Sequence, residues 1–139
     1  MFTLSILTPE KRLVTDQEIE EVIVPGNRGQ LDILPGHAPL VTTLQAGVLK
    51  YRLKGESQSH SLSVSWGYAE VKPTGVVVCA ETAETREEID RKRAEETLKK
   101  STDFLSQMIA DPVEITKYQR KIERAQARLE LVSSDKMSH

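Results

Sequence analysis

Two short runs hold the residues best suited to chemistry. Ile89-Asp90-Arg91-Lys92-Arg93-Ala94 puts Asp90 and Arg93 three positions apart, and Arg124-Ala125-Gln126-Ala127-Arg128 puts two arginines four apart. On a helix, residues three and four apart share a face. In two helices that double back on each other, Arg93 can face Arg124 and Arg128, with Lys117, Arg120 and Lys121 just upstream. Converging guanidinium groups repel one another. A polyphosphate between them removes that repulsion and accepts bidentate hydrogen bonds. From spacing alone a solvated charged face, with intrahelical pairs such as Glu88–Lys92, is the simpler account.

Other chemistry finds little support. There is no G-x-x-x-x-G-K-[ST] loop and no G-x-G-x-x-G. His37, His60 and His139 lie far apart, and the one cysteine, Cys79, has no neighbour at metal-ligand spacing. Cys79 sits in the apolar run VVVCA, which suits a small buried hydrophobe. His60, between Ser59 and Ser61, reads as an exposed strand residue near a turn. Spacing alone does not exclude a Ser-His-Asp triad, but nothing points to one. The chain is not expected to be an enzyme by itself.

The elements that must position the two runs can be read from pattern. Residues 1–83 carry 7 Lys/Arg and 9 Asp/Glu, whereas residues 84–139 carry 12 of each, and all seven glycines precede position 76. The expected division is a domain over 1–84 and a second over 85–139. In the first, Phe2-Leu4-Ile6, Leu31-Ile33, Leu49–Lys54 and Ser61–Trp66 alternate apolar and polar residues, the period of a half-buried strand. Turn signals such as Pro25-Gly26, Pro35-Gly36 and Pro73-Thr74-Gly75 separate them. An antiparallel β-sandwich or flattened barrel of short strands is predicted. In the second domain, Thr85-Arg86-Glu87-Glu88 is a capping box, with the Thr85 hydroxyl accepting from the Glu88 amide and a helix running on from Arg86. Asp111-Pro112-Val113-Glu114 starts another. Ile115, Tyr118, Ile122, Ala125, Leu129 and Val132 form a heptad seam on it, and Ile89, Leu98, Leu105 and Ile109 form a patchier stripe on the first helix. The prediction is an antiparallel helical hairpin packed on the sandwich.

Net charge is −2, which gives no footprint for nucleic acid. No apolar run approaches the ~20 residues that span a bilayer, so no membrane insertion is expected. MFTLSILTPEKR has no basic start ahead of its apolar residues, so no signal peptide is read there. A soluble chain in a reducing compartment is expected.

The string GQLDILPGHAPLVTTLQAG, the later WGYAEV and the helix motif IDRKRA together resemble the epsilon subunits of F-type ATP synthases over essentially the whole chain. The resemblance implies a ten-stranded sandwich with a two-helix tail and a non-catalytic place in the central stalk of a proton-translocating synthase, peripheral on the cytoplasmic side of a bacterial plasma membrane. The partners implied are the gamma subunit, the ring of c subunits and the alpha/beta catalytic head, with this chain a monomer in the complex. It also implies restraint of ATP hydrolysis. The turn at Pro35, Gly36, His37 and Pro39 becomes a docking loop with no chemistry at His37, which either meets a partner or braces the turn. Gln30 and Asp32 depart from the family, which often carries an acid at the first position and glycine at the second. Asp32 is not expected to replace the missing acid, on the ground that the two positions face opposite sides of a strand.

The resemblance further implies a regulatory ATP site. Ile89, Asp90, Arg93 and Ala94 match the family motif on the first helix, Arg124, Ala125 and Arg128 match that on the second, and Glu84 matches a further acidic position. Asp90 and Glu84 would orient base or sugar, and the arginines would hold phosphates. No cofactor is required, and ATP would be sensed without being hydrolysed. A hairpin folded on the sandwich and a hairpin extended along gamma then make two states, with ATP favouring the first. The rival expectation is a free-standing sandwich adaptor with a dimerising coiled-coil tail.

Overall fold

The computed structural model describes residues 1–107 and 111–137. Its strands are β1 (Thr3–Leu7), β2 (Arg12–Gly26), β3 (Gly29–Ile33), β4 (Leu40–Leu44), β5 (Gly47–Leu53), β6 (His60–Lys72) and β7 (Gly75–Glu84). A 3-10 turn, Arg86–Glu88, leads to α1 (Arg91–Gln107) and α2 (Pro112–Met137). A sandwich followed by two helices is the predicted order. Among the described residues the strands number seven rather than about ten, because the long ones serve more than one partner each. β2 pairs β1 through its first half and β5 and β3 through its second. β6 pairs β5 up to Val64 and β4 from Gly67 onward. The ladders are antiparallel except one: β1 runs parallel to β7, from Thr3↔Gly75 to Leu7↔Cys79, against the wholly antiparallel expectation.

Alternation does what its period requires. Leu4, Ile6, Val22, Val24, Ile33, Leu49, Val64 and Val78 are buried between the layers. Every buried member of this core cluster lies between Phe2 and Ala83. The sandwich therefore closes its own core without help from the helices.

β6 changes layer at Trp66 and Gly67. Trp66 has φ 33° and Gly67 φ 147°. At Gly67 a Cβ would overlap the Cys79 carbonyl and lie 2.9 Å from Ala80 Cα, so only glycine fits. Cys79 is half-buried beside Tyr68, its cross-strand partner, and not in the core as predicted: β7 alternates, and residue 79 falls on the outer side between Val78 and Ala80.

The helical tail departs from expectation at its start. Thr85 and Glu88 close only one 3-10 turn, and both the Thr85 amide and hydroxyl donate to Glu88 Oε1 (3.1 and 3.0 Å). The predicted capping box between Thr85 and Glu88 is present, and the Glu88 amide also donates to the Thr85 carbonyl (3.1 Å). α1 begins five residues later than predicted, where Asp90 Oδ1 accepts from the Arg93 amide (3.1 Å) and caps it. α2 starts as predicted: Asp111 Oδ1 accepts from the Glu114 amide (2.9 Å), with Pro112 first.

α1 and α2 approach through small residues. Ala94 and Ser101 on α1 and Ala125 on α2 are buried, while Leu98 and Leu105 are only half-buried at the flanks. Ile109 lies outside the described residues. Of the predicted seam on α2, Ile115 is exposed, Tyr118 packs on Phe104 with ring centroids 4.1 Å apart, and Ala125 is fully buried. A second row, Arg120, Arg124, Ala127 and Leu131, turns α2 toward β5 and β6, with Ala127 and Leu131 buried.

Candidate functional site

A cavity of about 680 Å³ opens between α1, α2 and the end of β7. Two constraints build it. The cap at Asp90 sets the first turn of α1, which aims Arg93 and Ala94 inward. Contact through Ala94, Ser101 and Ala125 holds the helices close at that level, so the long side chains must line the space beyond. Of the eight residues singled out from the sequence, seven border it: Glu84, Ile89, Asp90, Arg93, Ala94, Arg124 and Arg128, while Ala125 is buried and does not. Sequence reading missed Lys100 and placed Lys121 only upstream of the arginines; both add a cation to the cavity. It also missed Phe104 and Tyr118, the aromatic pair at one end; Lys121 Nζ lies 4.9 Å from the Tyr118 ring centroid. Lys121 was legible only as part of a basic stretch, and Lys100 only as one of many charges on α1.

The arginines are not equivalent. Arg128 forms a bidentate pair with Glu84, Nε to Oε1 at 2.7 Å and Nη2 to Oε2 at 3.2 Å, both side chains partly buried. This pair ties α2 to β7. Arg124 stacks on Trp66, its Cζ 5.2 Å from the ring centroid, and its buried Nε makes no hydrogen bond. Asp90 spends one carboxylate oxygen on the helix cap. Cations and acids thus share the cavity, and Glu84 neutralises one of the three arginines.

Glu88 also borders the cavity, but turns toward the sandwich, where Lys11 Nζ donates to its Oε2 at 2.8 Å in place of a pair with Lys92. The Lys11 ammonium, then the Thr85 amide and hydroxyl, pull the Glu88 carboxyl down to about 2 from its ordinary 4.5. A depressed acid stabilises the fold above its unfolded value and loses that contribution as pH falls through the folded one. The tie between the 3-10 turn and the β1–β2 loop should therefore hold at neutral pH and fail between about 4.5 and about 2. Hydrogen exchange around residues 85–90 should be faster in Glu88→Gln than in wild type at pH 5, and the two should converge near pH 2. Equal exchange at pH 5 would contradict this.

The docking-loop residues lie at the other end of the sandwich. Gly36 has φ 92°, which favours glycine, and the His37 amide donates to the Leu34 carbonyl at 3.0 Å. His37 Nδ1 donates to the Ala38 carbonyl at 2.8 Å, so the imidazole braces its own turn. Pro35 and Pro39 are exposed, and Leu34 is 49 % exposed beside them. Gln30 and Asp32 are both exposed and share one side of β3, two residues apart, while Leu31 and Ile33 turn inward. The expectation of opposite sides is therefore corrected: it holds for adjacent residues, not for alternate ones. Asp32 lies beside Glu21, whose carboxyl is pushed up chiefly by hydrogen bonding to the Asp32 carboxylate, against the nearby Arg52.

Among the described residues no three His, Cys, Asp or Glu side chains come together to hold a metal, and no helix is long and apolar enough to cross a membrane. Comparison with known proteins agrees with the shape of the sandwich. Residues 1–86 match the family model of the beta-sandwich domain of the ATP synthase delta/epsilon chain. The ATP synthase epsilon chain of Bdellovibrio bacteriovorus is 42 % identical over 127 residues, 91 % of each chain. That of Koribacter versatilis is 47 % identical over 100 residues, 72 % of this chain and 68 % of its own. Among solved structures, a chain of the Euglena gracilis mitochondrial ATP synthase (OSCP/F1/c-ring) superposes with a TM-score of 0.81 at 22 % identity, covering 93 % of this chain and 79 % of that one. At that identity the superposition speaks to the fold alone. With the family model matched over more than half of the chain and an epsilon chain 42 % identical over 91 % of both chains, the chain belongs to the ATP synthase delta/epsilon family, on its epsilon side, as a non-catalytic component of the synthase.

Proposed function

We propose that this chain is a central-stalk subunit whose helical tail senses ATP and restrains hydrolysis. In that role the sandwich sits peripherally on the cytoplasmic side of a bacterial plasma membrane. It holds the gamma subunit and rests its 30–39 loop on the ring of c subunits. The relatives' names support the complex, and a chain from the central stalk and c-ring of the Tetrahymena thermophila mitochondrial ATP synthase shares the fold (TM-score 0.62, 16 % identity). A turn pre-set by two prolines and Gly36 loses little freedom when it docks, which favours a contact surface there.

The observation that carries the sensing role is one cavity bordered by Arg93, Lys100, Lys121, Arg124 and Arg128, with a buried Arg124 Nε that has no partner. Such a set attracts a polyanion, whose oxygens accept charge-assisted hydrogen bonds from the cations. The acids Glu84 and Asp90 at the same cavity suit hydroxyl or amino groups of a sugar and base. The site borders residues of β7, α1 and α2 at once, so a ligand in it binds only the docked hairpin. Occupancy then favours docking by RT ln(1 + [ATP]/Kd). Without ATP the tail extends along gamma toward the alpha/beta head, and its basic residues meet acidic surfaces there and block rotation.

Calorimetric titration of the isolated chain with ATP tests the site. Saturable one-to-one uptake is expected, weakened about tenfold or more by Arg124→Ala, since a charge-assisted hydrogen bond contributes ~1.5–3 kcal/mol. Absence of uptake, or equal uptake by the variant, counts against it.

A further inference from the structure

We infer that Trp66 positions Arg124 at the cavity and clasps α2 to the sandwich. Two arginines of α2 lie over its ring, with Arg120 Cζ 4.6 Å and Arg124 Cζ 5.2 Å from the centroid. Arg120 also reaches Glu81 Oε1 at 3.6 Å. Ser65 pairs Thr82 and Gly67 pairs Ala80, so the indole and the Glu81 carboxylate stand side by side at the bend of β6. This is a docking point for one helical turn of α2, Arg120 to Arg124, built from an aromatic face and an acid.

The backbone supports the assignment. Trp66 holds φ 33°, a left-handed conformation that costs any residue other than glycine and is rare for a bulky one. Such a conformation persists only where the surrounding structure holds it, here by the switch of strand partners at the bend and by the contacts of the indole. Both cations over its ring belong to α2, and the residue also borders Leu7 and Pro9.

The two ways of holding an arginine differ in what they leave over. Glu84 takes Arg128 by two hydrogen bonds and so occupies its donors. A ring face attracts a guanidinium without accepting its N–H groups. Trp66 therefore holds Arg124 at the cavity without taking up its N–H groups in hydrogen bonds. Through Arg124, one side chain links occupancy of the cavity to the docking of α2. The ligand half of this inference rests on the nucleotide reading above; the clasp does not.

The test compares full-length wild type, Trp66→Phe and Trp66→Gly by ATP titration, hydrogen exchange of α2 and thermal unfolding of the sandwich. Trp66→Gly should speed exchange across α2 and raise the Kd for ATP, each about tenfold, as expected for two lost cation–π contacts. The sandwich should stay folded with only a modest fall in unfolding temperature, because the half-buried indole lies outside the core cluster and glycine accepts φ 33°. Trp66→Phe, which keeps a ring, should remain within about threefold of wild type on both measures. A residue needed merely for the sheet would lower the unfolding temperature steeply and leave α2 exchange in step with it. Exchange of α2 unchanged in Trp66→Gly overturns the clasp. If wild type binds ATP and Trp66→Gly binds it equally well, the positioning of Arg124 is overturned and the nucleotide reading stands. If wild type takes up no ATP, the nucleotide reading and the positioning role fall together, and α2 exchange alone decides the clasp.

Discussion

Alanine in place of Gly67 is expected to destabilise the protein by about 3–5 kcal/mol, among the largest effects open to a single methyl group. The new Cβ would overlap the Cys79 carbonyl and lie 2.9 Å from Ala80 Cα and Cys79 C, all of them backbone atoms of the paired strand. A flexible side chain could swing aside, but a strand buried in the sheet cannot. The residue would also have to leave φ 147°. Because β6 pairs β5 on one side of this point and β4 on the other, a shift here moves two ladders at once. Gly55 is the control: its φ is 84°, yet nothing lies within 4 Å of the position of its Cβ, so alanine there should cost only about 1 kcal/mol. Against a total stability of ~5–15 kcal/mol, Gly67→Ala should lower the unfolding temperature by about 10 °C or more. If both alanine variants melt together, the layer change at Gly67 is not what shapes the sandwich.

Ending the chain after residue 84 is expected to leave a folded sandwich and to raise ATP hydrolysis by the assembled synthase about fivefold or more at low ATP, the low end of ordinary coupling energies. The first half of this expectation follows from the core, whose buried members all precede Glu84. The faces of β5 and β6 beneath Ala127 and Leu131 would be bared, at a cost smaller than the core itself. The second half follows from the charge of the tail, where Arg93, Lys117, Lys121 and their neighbours cannot obstruct the head once removed. ATP synthesis should persist, because the 30–39 loop and the sandwich are untouched. Hydrolysis equal to that of the intact complex at every ATP concentration would remove the brake from the account.

The strands were legible because a two-residue period leaves no choice of face: Leu4-Ile6, Leu31-Ile33 and Leu49 turn inward where alternation puts them. Strand number was less legible. Nothing in SLSVSWGYAEV announces that one strand will serve two layers, because the device is a backbone angle at Trp66 and Gly67 and not a break in polarity. The start of α1 was misjudged because Thr85 and Asp90 are both good caps five residues apart, and only packing against Lys11 selects a short turn for the first. On α2 the heptad seam was visible, and the second row was hidden because two of its four members are arginines. An arginine buries its stem and stacks its head when a tryptophan lies opposite, and hydrophobic pattern alone does not count it as apolar. The seven cavity residues came from matching motifs, not from spacing, which gave no reason to prefer a site over a solvated face. Lys100, Phe104, Tyr118 and Lys121 needed the crossing of two helices to bring them together.

The central claim is that ATP decides whether the tail stays on the sandwich. Gln45 and Gln126 are exposed on opposite walls of the cleft between the β4–β5 turn and α2, so labels there report docking directly. In the assembled synthase, with Cys79 replaced by serine and label pairs at 45 and 126, the distance should be short at saturating ATP and lengthen when ATP is exhausted. One short distance under both conditions would contradict it.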